Sequence, residues 1–163
     1  MAFILKNGQT PATRNSDGNP PVVDQWIRVS KAAATLPATT TATLFNVLGG
    51  RILLRALIGE VTTAFDATAT NGSIVVDSDA GVADDLASAA AIASLGVGTL
   101  LTVEGDGTAL LTGGVGWGQA ALGMGVVVSP GLIRLTTSAT NAGAAKWDLY
   151  YLPLDPAAYV TAA

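Results

Sequence analysis

Glu60 and Glu104 are the two glutamates of the chain, and with the aspartates they form its whole stock of side-chain carboxylates. Two carboxylates flanking one cleft hydrolyse glycosides. Here the aspartates lie in turn-like stretches and Glu60 on a strand-like one, a pattern that reads as solvated carboxylates. Asp77, Asp79 and Gly81 have the spacing of the start of a calcium loop. Gly81, however, stands where a third ligand is needed and Ser88 where the bidentate glutamate belongs, so the segment reads as an acidic turn. Cysteine and histidine are both absent. Thiol nucleophiles, Ser-His and Cys-His pairs and most zinc sites go with them. We therefore expect no catalytic, metal or cofactor-binding residue and no enzyme. Two other constellations carry chemistry of recognition. Trp117, Trp147, Tyr150 and Tyr151 would make a sugar-stacking platform if they shared a surface; alternatively Trp147 and Tyr151 share a core face and Trp117 sits at an interface. Arg51 and Arg55 lie about 13 Å apart on one face of a straight strand, placed either for acidic groups on a partner chain or for Asp66 or Asp148 of the same sheet.

Positioning any of these falls to a chain of 163 residues, the size of one domain with a sizeable core. Half of the residues are hydrophobic and 12% are charged. A typical soluble domain carries about 25% charged residues, so the exterior is either dressed in Thr, Ser and Asn or covered by other chains. Net charge is −4 and the eight Lys and Arg are scattered. Without a basic stripe, nucleic acid is not an expected partner. The apolar run at residues 1–5 is short for a signal peptide and closes at Lys6. The uncharged stretches 86–103 and 107–133 are long enough to span a bilayer, but the second is rich in Gly and neither has a basic flank. They read as strand and loop, and no membrane association is expected.

The pattern along the chain is β throughout. The longest run, 51–65, is rich in large and branched apolar residues and lacks proline. A bend at Gly59 is expected to pass it from one sheet to another, with Ile52, Leu54 and Ile58 buried and the face of Arg51, Leu53 and Arg55 near another chain or beneath the arm. Residues 26–31 and 41–47 alternate as strands with a loop at 32–40, and Leu48-Gly49-Gly50 predicts a hairpin into the long strand. Asn71-Gly72 predicts a turn, and 86–95 a strand in spite of its alanines. Short strands follow at 99–104, 108–112, 126–129 and 132–137, then a long one at 144–154 and a tail. Eight to ten short strands with turn signals between them predict an all-β, two-sheet antiparallel sandwich of jelly-roll type, or else a Greek-key barrel. The expected organisation is an extended N-terminal arm at 1–25, the sandwich at 26–155 and a short C-terminal tail at 156–163. Gly8, Pro11, Gly18, Pro20 and Pro21 keep the arm out of regular structure. It is expected to clasp a neighbouring subunit or to pack on its own domain. Phe3, Ile4, Leu5 and Arg14 of the arm join Arg51, Arg55 and Trp117 as candidate partner-binding residues.

The run Val127-Val128-Ser129-Pro130-Gly131-Leu132-Ile133-Arg134-Leu135 and the run from Gly143 through Lys146-Trp147-Asp148-Leu149-Tyr150-Tyr151 to Leu154 resemble small virion proteins of tailed bacteriophages. So do Gly49-Gly50-Arg51-Ile52-Leu53, Ile58-Gly59-Glu60-Val61-Thr62-Thr63 and Val97-Gly98-Thr99-Leu100. The chain resembles capsid decoration, or cement, proteins and other head-associated proteins over about residues 49–154. The resemblance implies a structural virion protein on the outer capsid surface. It implies a homo-oligomer, with a trimer favoured, that bridges subunits of the major capsid protein, and no catalytic residue. The alternative function is a receptor- or glycan-binding β-sandwich of a phage fibre or tail.

Overall fold

The computed structural model describes residues 26–81, 83–103, 111–115 (backbone) and 125–163. Eleven strands occur among them: β1 Ile27–Thr35, β2 Thr41–Leu48, β3 Ile52–Thr63, β4 Asn71–Ser78, β5 Asp84–Ala91, β6 Thr99–Thr102, β7 Leu111–Val115, β8 Val126–Val128, β9 Gly131–Thr137, β10 Ala144–Pro153 and β11 Tyr159–Ala162. One sheet has the order β1-β10-β3-β6-β7, with β8 also on β3, and the other β11-β2-β9-β4-β5. Every pairing is antiparallel. The rows β1-β10-β3-β6 and β2-β9-β4-β5 form two interleaved Greek keys, which makes the molecule a jelly-roll sandwich. Among the described residues no pairing joins the two sheets into a barrel.

Alternation builds this core directly. In β9 and β10 every second residue is buried, putting Ile133, Leu135, Ala145, Trp147, Leu149 and Tyr151 between the sheets. Phe45, Val47, Ile52 and Ile74 add fully enclosed side chains. Each large apolar side chain removed from water in this way contributes about 1.5–3 kcal/mol.

Several sequence expectations are corrected. β3 stays in one sheet for its whole length and does not bend across at Gly59. Its irregularity lies at Arg55: Tyr151 faces Leu54 and Tyr150 faces Ala56, so Arg55 is an extra residue. One extra residue inverts the alternation beyond it. Ile52 and Leu54 are therefore buried together with Leu57, Gly59 and Val61, while Ile58, expected inside, turns to the outer face. Leu48-Gly49-Gly50 does not close a hairpin, because β2 and β3 belong to different sheets. Gly49 has φ 73°, and a Cβ there would stand 2.1 Å from the Ala157 carbonyl oxygen, so this crossing needs glycine. Asn71-Gly72 opens β4 rather than making a turn, since Asn71 pairs with Ala91. Residues 32–35, expected in a loop, continue β1 after a bulge between Lys31 and Ala34. The expected tail contains β11, which edges the second sheet along β2. Of the expected strand 86–95, residues 86–91 are strand, within β5, and residues 92–95 leave it in a turn. The N-terminal arm, the turn at 105–107 and Trp117 lie outside the described residues.

Candidate interaction surface

Most of the chain's polar chemistry is turned inward upon itself. Each Lys and Arg among the described residues has an internal partner. Arg28 pairs with Asp148 at 2.8 Å, Arg134 with Asp77 at 2.7 Å, Lys146 with Glu60 at 2.8 Å and Arg51 with Asp155 at 3.1 Å. Lys31 donates to the Ala163 carbonyl, and the Arg55 guanidinium lies 5.5 Å from the Trp26 ring centroid. Exposed pairs of this kind add little stability each, but they neutralise the faces of both sheets. Glu60 is thus a salt-bridge partner, and Glu104 lies outside the described residues. Among the described residues, no cluster of three acidic groups could hold a metal.

The β10 alternation also divides the aromatic set. Trp147 and Tyr151 are buried between the sheets, and the Tyr151 hydroxyl accepts a hydrogen bond from the Val160 N–H at 3.2 Å. Tyr150 points the other way, beside Ala56 and Arg28. These three aromatics therefore make no common platform. Arg51 meets neither of the intramolecular partners expected for it. Arg51 precedes β3 and grips Asp155 in a fork: Nε and Nη2 donate at 3.1 Å each, and its backbone N–H donates at 2.7 Å. Those bonds pull the Asp155 carboxyl down to about 2. Asp66 instead accepts from the Thr68 side chain and from the backbone N–H groups of Ala142 and Thr68, which together hold its carboxyl below the usual range.

What the fold does gather is apolar surface. Five large hydrophobic side chains are exposed among the described residues: Leu48, Val97, Val127, Leu154 and Tyr159. Four of them lie at one pole of the sandwich, around the Arg51–Asp155 clasp. Leu48 and Tyr159 are cross-strand partners on the outside of the second sheet. Val127, 57% exposed, pairs with Leu53, which pairs in turn with Leu152, making an outward apolar row across β8, β3 and β10. Leu154 follows β10, its N–H bonded to the Arg51 carbonyl. Leu53 was legible as an outward residue of the long strand. The others were not: Leu48, Leu154 and Tyr159 stand at strand ends beside turn residues, where alternation no longer assigns a face, and three-residue β8 is too short for its alternation to place Val127.

No family model matches the chain, and no curated protein matches it. Among solved structures it is similar to a chain described as "Structure of infectious bursal disease virus Gx strain". Identity is 9% and the TM-score 0.24, over 83% of this chain and 33% of that one. The chain thus spans about a third of that protein's length, and likeness at this score carries no argument.

Proposed function

We propose that the chain is a structural virion protein that decorates a bacteriophage capsid from outside and bridges major capsid protein subunits, acting as a homo-oligomer, with a trimer favoured. The observation that carries this reading is the apolar pole formed by Leu48, Leu53, Val127, Leu154 and Tyr159. These side chains lie at one end of the sandwich on the outer faces of both sheets, Leu48 and Tyr159 on one and Leu53 and Val127 on the other, and exposed apolar surface of this kind marks where other chains bind. The neutralised sheet faces support the same reading, because among the described residues they leave little charge for a partner to engage and favour contact through apolar surface. The resemblance of residues 49–154 to head-associated phage proteins supplies the kind of partner.

The mechanism is mechanical. Burial of apolar area at about 25 cal/mol per Å² holds each copy across a subunit boundary. Oligomerisation multiplies that contact, since the second and later arms bind at high effective concentration. The test uses purified protein and expanded, undecorated capsids. Binding is expected together with a raised temperature of capsid disruption. Val127→Asp with Tyr159→Ser should weaken binding about tenfold or more while the isolated protein unfolds at an unchanged temperature. Capsids that neither bind the protein nor gain heat resistance would sink the proposal. The four-aromatic platform of the glycan-binding alternative has no support from the described aromatics, because β10 places two of them in the core.

A further inference from the structure

The opposite pole carries a different feature. Between the sheets, Ala34, Leu36, Pro37, Ala42, Leu44 and Trp147 line an apolar cleft of about 280 Å³ counting its open mouth. Lys31 stands at the rim, its amine held by the Ala163 carbonyl. Two free strand edges flank the mouth. β1 pairs with β10 on one side and, among the described residues, with no strand on the other. β11 covers β2 only from Phe45 to Leu48, so the Thr41–Thr43 stretch is also an edge. A cleft lined by apolar side chains between two unpaired edges is a site for an extended segment with an apolar side chain to insert.

We propose that this site is occupied by the chain's own N-terminal segment, with Phe3 entering the cleft beside Lys31. The argument is one of length and register. Residues 1–25 precede Trp26, which stands at the other pole, and β1 leads from there to the cleft. Asn15-Ser16-Asp17-Gly18-Asn19 is the turn-forming run of the segment. A reversal centred there sets residues 2–6 antiparallel to residues 28–32 of β1. Residue 31 then faces residues 2–4, within a few residues of the cleft wall. β1 is about 30 Å long at ~3.3 Å per residue, and the returning arm is long enough to follow most of it. Phe3-Ile4-Leu5 is a compact apolar triplet in the segment, and Pro11 is compatible with a strand that forms an outer edge. Docking would cover the β1 edge, which otherwise invites pairing with any extended chain.

The natural absence of cysteine makes the test clean. The full-length double variant Phe3→Cys/Lys31→Cys, whose positions the register sets side by side, should form a disulfide within one chain under mild oxidation. The product would run as a compact monomer on a non-reducing gel, in a yield independent of dilution. Phe3→Cys/Val127→Cys, aimed at the far pole, should not cross-link. As a second measurement, removing residues 2–8 should speed backbone hydrogen exchange in residues 28–35 about tenfold or more and leave β9 unchanged. Cross-links only between chains would assign the site to a second copy's arm and overturn the proposal. Absence of cross-linking with unchanged exchange would overturn it outright.

Discussion

Gly59 and Trp147 face each other across β3 and β10. A Cβ added to Gly59 would stand 2.8 Å from Cη2 and Cζ3 of the indole and 3.0 Å from Cε3. Trp147 is 2% exposed and cannot swing away. Gly59→Ala must therefore push a rigid ring into a packed core, which costs about 1–3 kcal/mol. Elsewhere in a strand the same change gains about 0.5–1 kcal/mol, because glycine carries the larger entropic cost of folding. The two expectations have opposite signs, so the ring is the deciding partner. In a Trp147→Leu background, which removes the ring but keeps an apolar side chain, Gly59→Ala should become neutral or slightly stabilising. A double-mutant cycle should then show a coupling of about 2 kcal/mol. Urea unfolding followed by far-ultraviolet circular dichroism measures all four proteins without relying on Trp147 fluorescence. If Gly59→Ala leaves the midpoint unchanged, or lowers it equally with and without the ring, then the close approach does not govern this strand pair.

Other predictions follow from the polar fastenings. The Asp155 carboxyl is depressed to about 2 and that of Asp66 is also lowered, so both stabilise above the ordinary carboxylate range, near pH 4, and that contribution is lost as pH falls through the folded values. The unfolding temperature of the wild type should drop between about pH 4 and pH 2, and Asp155→Asn should flatten part of that drop. Buried Asn141 accepts from the N–H groups of Asp66 and Gly143 at 3.0 and 3.1 Å and donates to the Asp66 carbonyl at 3.3 Å. Asn141→Ala orphans these groups and should cost about 2–3 kcal/mol by chemical denaturation. Glu60→Gln, which breaks the exposed pair with Lys146, should change stability by less than about 1 kcal/mol in the same assay.

The sandwich was legible because its strands are half-buried and so announce themselves by alternation. β9 and β10 could be read residue by residue, down to Trp147 and Tyr151 sharing the inner face. Reading failed where a single residue changed the phase. Arg55 is a bulge that no local signal marks, and it moved Ile58 out and Leu57 in. Glycine misled twice for one reason: sequence shows that a side chain is missing but not why. Gly59 suggested a bend and is instead the seat of an indole ring. Gly72 suggested a turn and is buried inside a strand. The Gly49-Gly50 pair did mark a change of direction, but a hairpin and a crossing between sheets need the same backbone freedom. Jelly-roll connections cross between sheets repeatedly, so adjacency in sequence is a poor guide to pairing here.

The distribution of apolar side chains ties fold to function more closely than any polar group does. A jelly roll fixes which pole each strand end reaches, so the ends of β2 and β10 and the starts of β3 and β11 converge whatever their sequence. This chain places Leu48, Leu53, Leu154 and Tyr159 at those converging ends and joins them through the Arg51–Asp155 fork. The fork fixes the loop after β10 against the start of β3 and so presents the apolar side chains on a stiff rim, lowering the ordering cost of contact. Asp155→Ala should therefore weaken association more than its small contact area suggests. The loss should exceed that from Arg28→Ala, which removes a comparable ion pair on the open face of the sheet. Equal losses from the two variants in a capsid-binding titration would mean that the rim works without its fastening, and the apolar pole would then have to act through area alone.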